Sequence, residues 1–130
     1  MVKEFNILVT GSNGQLGKSI KSMSKEFPNY NFYFQSKEQL DISSYAKVFE
    51  FVDLHEINLI INCAAYTDVN KAETDLYLAD LINNVSVGYI AEICEKKNIQ
   101  LIHISTDYVF DGKNSVPYTE NDTTNPINYY

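Results

Sequence analysis

The sequence predicts an α/β protein with a doubly wound, Rossmann-like parallel sheet, and three features predict it. A short apolar strand runs into a glycine-rich turn, and a helix-like segment follows directly. Strand-like and helix-like segments then alternate in the order β-α-β-α-β-α-β, which is typical of a parallel sheet covered by helices on both faces. The small or polar segments follow the predicted strands, so we expect them at the carboxyl edge of the sheet, where α/β folds bind ligands.

The first predicted strand, 5–9, leads into the turn Gly11-Ser-Asn-Gly14-Gln-Leu-Gly17. Glycine adopts backbone angles that other residues avoid and lets a ligand approach the main chain. A helix that starts at such a turn presents free N–H groups and a positive dipole end, which suits a pyrophosphate. The spacing is Gly-x-x-Gly-x-x-Gly rather than the usual Gly-x-Gly-x-x-Gly of dinucleotide sites. The turn predicts a dinucleotide site; a strand-to-helix turn that is merely glycine-rich is the alternative.

The next helix is predicted over 15–27, because apolar residues recur on one helical face before Pro28. A second strand is predicted over 31–35. Its carboxyl end lacks a carboxylate until Glu38, although a carboxylate there would favour the ribose 2′-hydroxyl of NAD. Lys37 suits the 2′-phosphate of NADP, and a solvated loop lysine explains it equally well.

Asp41 or Ser43 is expected to cap a helix over 44–55. A third buried strand is predicted over 58–63, and the small residues of 64–67 after it would let a flat group lie against the backbone. A long helical region follows over 69–97, in which Asn83-Asn84 and Gly88 predict a kink or a division into two helices.

The fourth strand is predicted over 100–105, with His103 packed and hydrogen-bonded within it. Residues 106–130 lack periodicity, and a loop of this length inside a compact domain is usually functional. The final Asn128-Tyr-Tyr130 resembles neither a helix end nor a polar tail. We therefore expect residues 1–130 to be the N-terminal part of a larger domain whose C-terminal, substrate-binding part is absent.

Composition excludes several function classes. The 130 residues suffice for one domain with one core, and 45% of them are hydrophobic. The net charge of −7 argues against non-specific nucleic-acid binding, which needs Lys and Arg. The chain has no apolar run long enough for a membrane span and no separate signal sequence. Cys63 and Cys94 predict two reduced thiols without a catalytic role in a cytoplasmic protein, and we expect no zinc site.

Four stretches carry a family resemblance. The run Ile104-Ser-Thr-Asp-Tyr-Val-Phe-Asp-Gly112 closely resembles the signature of dTDP-4-dehydrorhamnose reductases, in the extended branch of the short-chain dehydrogenase/reductase superfamily. The match extends to residues 62–73, 117–122 and 125–130. These stretches occur in the family's order, and the resemblance covers essentially the whole chain.

The resemblance implies site residues position by position. Thr106 matches the family's active-site hydroxyl, and Asp107 matches a neighbour that helps to hold the substrate. Tyr130 matches the catalytic tyrosine, and Tyr129, shifted by one position, is the nearest alternative. The positions implied to bind the cofactor, NADP(H) or NAD(H), are Gly11, Asn13, Gly14, Gln15, Leu16, Gly17, Lys37, Asp41, Ile42, Ala64, Ala65 and Thr67.

The implied reaction is reduction of the C4 ketone of dTDP-4-dehydro-β-L-rhamnose to dTDP-L-rhamnose. The family's catalytic lysine, four residues after the tyrosine, lies beyond Tyr130, so we expect these 130 residues alone to have little or no activity. Some family members dimerise around magnesium through an acidic side chain after the third glycine. Lys18 and Ser19 stand there, so we expect no metal, and a homodimer of the full-length form stays open.

Two other functions share these features. Sugar-nucleotide epimerases and dehydratases of the same branch have the glycine turn and the tyrosine, but their fourth-strand loop differs from 105–112. The regulatory subunit of methionine adenosyltransferase also resembles this family and binds NADP without a known need for turnover. Product analysis on a full-length protein would separate a reductase from such a subunit.

Overall fold

The fold is a four-stranded parallel sheet with helices on both faces. The computed structural model describes residues 4–130. Its strands are β1 (Phe5–Thr10), β2 (Tyr30–Gln35), β3 (Leu59–Asn62) and β4 (Gln100–His103). Its α-helices are α1 (Gln15–Met23), α2 (Tyr45–Leu54), α3 (Val69–Ala72), α4 (Leu76–Asp80) and α5 (Ser86–Lys97). The predicted Rossmann-like order is confirmed, and residues 104–130 follow it without a regular element.

The strands lie in the order β2-β1-β3-β4, and all three pairings are parallel. Two adjacent residues of β2 show that helices cover both faces. Tyr33 meets the Phe51 ring of α2, whereas Phe34 lies 5.7 Å from the Lys21 ammonium of α1. Successive strand residues point to opposite faces, so α1 and α2 lie on opposite sides of the sheet.

The main core lies between the sheet and helices α2 and α5. Its buried members are Leu8, Leu40, Ile42, Val48, Val52, Ile57, Ile60, Ile90, Ile93 and Cys94. Leu101 of β4 packs against this core, so Ile102 points to the opposite face, where 48% of it is exposed. Strand β1 is therefore buried on both faces, whereas β4 is exposed on one.

Helix α1 is shorter than predicted. It ends at Met23, and a 3₁₀ turn follows over Ser24–Glu26. Phe27 leaves the helical region because it precedes Pro28, whose ring disfavours helical angles in the preceding residue. The predicted apolar stripe is largely solvent-exposed, with Met23 54% accessible, and the buried residue of α1 is Gly17.

The cap of α2 differs from the prediction. Ser44, rather than Asp41 or Ser43, is the N-cap residue, and its hydroxyl accepts the Lys47 N–H. The Asp41 carboxylate is already engaged, because it accepts both the N–H and the hydroxyl of Ser43. Such a local turn places Asp41 and Ser43 before the helix rather than at its cap.

The region predicted as one long helix with a kink, or as two helices, is three helices. Asp68 and Asp75 each cap a new helix start, at α3 and α4. A π-helical turn over Leu81–Val85 then joins α4 to α5, and the buried Ser86 hydroxyl donates to the Leu81 carbonyl at 2.6 Å. Asn98, in the left-handed conformation, ends α5.

Strand β3 ends one residue earlier than the apolar pattern predicts, at Asn62, and β4 ends two residues earlier, at His103. The pairing stops at Asn62 and His103, the last paired residues. Among residues 4–130, no helix combines the length and apolarity that crossing a bilayer requires.

Candidate functional site

A cleft of about 640 Å³ opens at the carboxyl ends of the strands. It lies where the chain order reverses, since β1 connects outward to β2 and β3 to β4 on the other side. This switch point is where open α/β sheets bind ligands. The volume is within the range of small-molecule and cofactor sites.

Twelve of the fifteen predicted site residues line this cleft. They are Gly11, Asn13, Gly14, Gln15, Leu16, Lys37, Asp41, Ile42, Ala64, Ala65, Thr67 and Tyr130. Gly17, Thr106 and Asp107 are not among the lining residues of the described chain.

The glycine turn brings backbone to the cleft from two sides. Gly11 has φ +62°, and a Cβ there would lie 2.6 Å from the Ala64 nitrogen. The turn therefore needs glycine both for its conformation and for its closeness to the segment after β3. Gly14 is the N-cap of α1, and no side chain among residues 4–130 caps that helix start. The first N–H groups of α1 are thus left for a ligand or water.

Gly17 acts behind the cleft. A Cβ at this position would lie 2.6 Å from both the Gly11 carbonyl oxygen and the Ser12 Cα. The absence of a side chain lets α1 lie directly on the glycine turn, and this close packing aims the start of α1 into the cleft. Gly17 therefore shapes the cleft without lining it.

Two buried side chains, Thr10 and Asn62, and the exposed His103 join the strands beneath the cleft. The Thr10 hydroxyl donates to Asn62 Oδ1 at 2.6 Å, and Asn62 Nδ2 lies 3.1 Å from His103 Nδ1. The Ala64 N–H also approaches Asn62 Oδ1, at 3.3 Å. Asn62 thus ties β1, β4 and the segment after β3 together. The expected hydrogen bond of His103 is present, although His103 is exposed rather than packed.

The tip of β2 forms one end of the cleft. Lys37 is exposed, and the Glu38 carboxylate turns back to accept the Ser36 hydroxyl at 2.7 Å, which lowers the Glu38 pKa. The hydrogen bonds from Ser43 likewise hold the pKa of Asp41 below its usual value. Both carboxylates are therefore charged at neutral pH, and the Lys37 ammonium lies among them at the cleft edge.

The segment after β3 forms the facing wall, and the π-helical turn holds it. The Tyr66 N–H donates to Asn83 Oδ1 at 2.8 Å, and Asn83 Nδ2 donates to the Tyr66 carbonyl at 3.0 Å. This reciprocal pair fixes Tyr66, whose pKa is raised by desolvation and the nearby Asp75 and Asp68. Single π turns often occur at functional sites, as here.

The loop after β4 closes the cleft. The Tyr130 ring lines it and meets the Tyr108 ring edge to face, 5.8 Å between centroids. The Thr106 hydroxyl oxygen accepts the Tyr108 N–H at 3.0 Å, and Ser105, rather than Thr106, contributes to the cleft wall. The structure thus brings Tyr130 to the same cleft as the predicted cofactor residues but leaves Thr106 and Asp107 outside its lining.

Sequence reasoning missed several residues of this site. The polar lining residues among them are Glu38, Asn62, Tyr66 and Ser105, and Cys63, Leu78 and Ile82 add apolar wall. Asn83 does not line the cleft, but it holds Tyr66 in place. A side-chain amide inside a helical pattern was a signal for Asn83, because it competes with helical hydrogen bonding. Burial raises the pKa of the Cys63 thiol, which keeps this wall neutral.

Residues 5–130 match the family model described as RmlD substrate binding domain. The dTDP-4-dehydrorhamnose reductase of Aggregatibacter actinomycetemcomitans is 39% identical over 124 residues, which is 95% of this chain and 42% of that protein. The dTDP-4-keto-6-deoxy-D-glucose reductase of Streptomyces niveus is 38% identical over 95% of this chain and 42% of its own length. The chain thus spans less than half the length of the relatives it matches.

A solved structure agrees with these relatives. The dTDP-4-dehydrorhamnose reductase of Bacillus anthracis, crystallised in complex with NADP, superposes with a TM-score of 0.91 at 35% identity. The superposition covers all of this chain and 46% of that one. With its fold, its glycine turn and the match over residues 5–130, this chain belongs to the RmlD substrate binding domain family.

Proposed function

We propose that the intact protein reduces the C4 ketone of dTDP-4-dehydro-β-L-rhamnose to dTDP-L-rhamnose, using NADPH or NADH. One observation carries the proposal: the glycine turn, the small-residue wall after β3 and Tyr130 line a single cleft at the switch point of the sheet. The relatives named as sugar-nucleotide reductases support it.

The cleft fits a dinucleotide. The uncapped start of α1 and the positive-φ Gly11 offer backbone N–H groups to a pyrophosphate, and the side chains of Asn13 and Gln15 flank them. Lys37, Asp41 and Ile42 would surround the adenosine end, while Ala64, Ala65 and Thr67 would lie along the nicotinamide half. When bound, the cofactor would supply the hydride for the ketone. The NADP complex of the Bacillus anthracis protein supports this assignment.

Two side-chain hydroxyls of this chain would donate the proton and hydrogen-bond the substrate carbonyl. Tyr130, on the cleft wall, would donate a proton to the developing alkoxide. Thr106 would hydrogen-bond the carbonyl, and Asp107 would hold the sugar. The Thr106 oxygen already accepts the Tyr108 N–H, so its own O–H is directed away from that bond and can donate to a ligand. Ser105, on the wall itself, is the alternative donor.

We infer that this reaction takes place in the cytoplasm, where dTDP-sugars and reduced nicotinamide cofactors are made. Homodimerisation of the intact protein is a further proposal. No metal ion is assigned a role, and residues 4–130 hold no group of three or more His, Cys, Asp or Glu side chains placed to bind one.

The test is an activity assay on the intact gene product. The purified protein is mixed with NADPH or NADH and with dTDP-4-dehydro-β-L-rhamnose or dTDP-4-keto-6-deoxy-D-glucose, and the products are identified. Cofactor oxidation with formation of dTDP-L-rhamnose is expected. Turnover of the glucose-derived ketone alone would reassign the substrate, and binding of NADPH without turnover of either would favour a regulatory protein.

A further inference from the structure

The carboxylate of Glu73, the residue that follows α3, is hydrogen-bonded to the segment that carries Tyr130. Glu73 Oε1 accepts the Tyr129 N–H at 2.7 Å, although 56 residues separate them in sequence. We propose that Glu73 is a positioning residue that sets the place of Tyr130 in the cleft. This inference rests on the proposed function, because the position of Tyr130 matters only if it acts on a ligand.

Glu73 follows closely, along the chain, the cleft wall that Ala64, Ala65 and Thr67 form. It is the residue after α3, and α3 begins directly after the Ala64–Thr67 wall. The Asp68 carboxylate caps α3 by accepting the Lys71 N–H at 3.0 Å, and Ala72 is fully buried. The base of Glu73 is therefore anchored, although its carboxylate is exposed. A displacement of Tyr129 would have to move either this anchored turn or the carboxylate itself.

Tyr130 is consequently held from two directions. Glu73 fixes the backbone just before it, and the Tyr108 ring packs edge to face against its ring at 5.8 Å. The N–H of Tyr108 in turn donates to the Thr106 hydroxyl at 3.0 Å. A continuous series of contacts thus joins Glu73 to the hydroxyls of Tyr130 and Thr106, which the proposed reaction uses.

The chemistry of the contact suits positioning. A carboxylate that accepts a backbone N–H makes a charge-assisted hydrogen bond, which is short and stronger than a neutral one. Because Glu73 is exposed, its removal leaves no cavity in the core and no buried charge. The expected effect of removing it is therefore a looser Tyr130 rather than an unfolded protein.

Two substitutions separate positioning from other roles. Glu73→Ala removes the acceptor, whereas Glu73→Gln keeps a carbonyl oxygen that can accept the Tyr129 N–H without the charge. Glu120→Ala, an exposed glutamate of the loop after β4, is the control. Each variant is measured in the intact gene product for kcat and for the KM of NADPH, and in the 130-residue chain for the chemical shift and exchange rate of the Tyr129 amide proton by NMR.

We expect Glu73→Ala to lower kcat by roughly 10- to 100-fold with little change in the KM of NADPH, as for a misplaced reacting group. Its Tyr129 amide proton should shift upfield and exchange faster. Glu73→Gln should recover most of the lost kcat and of the amide shift, and Glu120→Ala should match the parent.

An unchanged chemical shift and exchange rate of the Tyr129 amide proton in Glu73→Ala would overturn the inference. A kcat of Glu73→Gln as low as that of Glu73→Ala would overturn it too, since the charge of Glu73 would then act on the ligand. A parent protein that reduces no keto sugar would instead contradict the proposed function. The amide measurement needs no turnover, so the two failures are distinguishable.

Discussion

Gly11 and Ala64 lie so close that a single methyl group at Gly11 would be 2.6 Å from the Ala64 nitrogen. This contact joins the turn after β1 to the segment after β3, the two backbones that form the centre of the cleft. The positive φ of Gly11 adds a conformation that side chains disfavour. The cleft therefore depends on this residue for its shape, independently of any group that binds there.

Substitution of Gly11 by alanine should damage stability. The left-handed conformation alone costs about 1–2 kcal/mol, and the clash with Ala64 adds to it. Gly88 is the matched control, because it lies in α5 with open space where a Cβ would be. Gly88→Ala should stabilise by about 0.5–1 kcal/mol. Urea unfolding followed by circular dichroism measures both, and equal effects would show that the Gly11 contact is not constraining.

Lys37 should set the preference between the two cofactors. It lines the end of the cleft, and Glu38 beside it is turned back to Ser36. Loss of a charge-assisted contact to the 2′-phosphate is worth about 1.5–3 kcal/mol, so Lys37→Ala should weaken NADPH binding about tenfold or more and leave NADH binding nearly unchanged. Lys25→Ala, with the same charge change in the 3₁₀ turn, controls for net charge. Parallel loss of both affinities would assign Lys37 a structural role.

Thr106 and Ser105 compete for the role of carbonyl donor. The Thr106 hydroxyl is oriented by the Tyr108 N–H, so we expect Thr106→Val to lower kcat on the order of 100-fold, the scale for removal of one such donor. Ser105→Ala should cost less than about tenfold on the same scale. Steady-state kinetics on the intact protein decide this, and the reverse ranking would move the donor to Ser105.

Asp111 should make the loop after β4 sensitive to acid. Its carboxylate accepts the Lys113 N–H, the Tyr118 hydroxyl and the Asn125 amide, and these bonds hold its pKa below the usual value. A depressed folded pKa means that the stabilisation is present above the unfolded pKa, about 3.9, and is lost as pH falls through the folded pKa. The Tyr118 and Asn125 NMR signals should therefore shift with a midpoint below that value.

Asp111→Asn provides the control for that titration, because it removes the acidic group and should abolish the shift of the Tyr118 and Asn125 signals. A midpoint at or above the ordinary aspartate pKa in the parent would contradict the account of these three hydrogen bonds.

The positions of the strands and of the glycine turn were predictable because they depend on local pattern. An apolar run followed by glycines has few structural solutions, and β1, β2 and the start of α1 at Gln15 agree with the prediction. A break near Asn83-Asn84 was predictable, but the separation of α3 from α4 and the π-helical form of the break were not. The π-helical turn carries Asn83, which pairs with Tyr66 across 17 residues, and no periodicity records such a contact.

The candidate site shows the same limit. Residues on short segments after strands, such as Ala64 and Lys37, could be assigned from topology alone. Which of Ser105 and Thr106 lines the cleft could not be predicted. Strand β4 ends at His103, and the direction of the chain beyond it depends on the loop's own hydrogen bonds. The exposure of Ile102 likewise depends on what packs on the sheet rather than on the strand's own composition.

The cleft beside Gly11 and Ala64 is proposed to bind a nicotinamide dinucleotide. The most direct test is titration of the 130-residue chain with NADPH, followed by the cofactor's fluorescence, since the chain contains no tryptophan. Circular dichroism first confirms that the parent, Gly11→Ala and Gly88→Ala chains are folded. Saturable binding by the parent and by Gly88→Ala, with loss of binding in Gly11→Ala, is the predicted result. A folded parent chain that binds no NADPH, or a Gly11→Ala chain that binds it as well as the parent, would contradict the account.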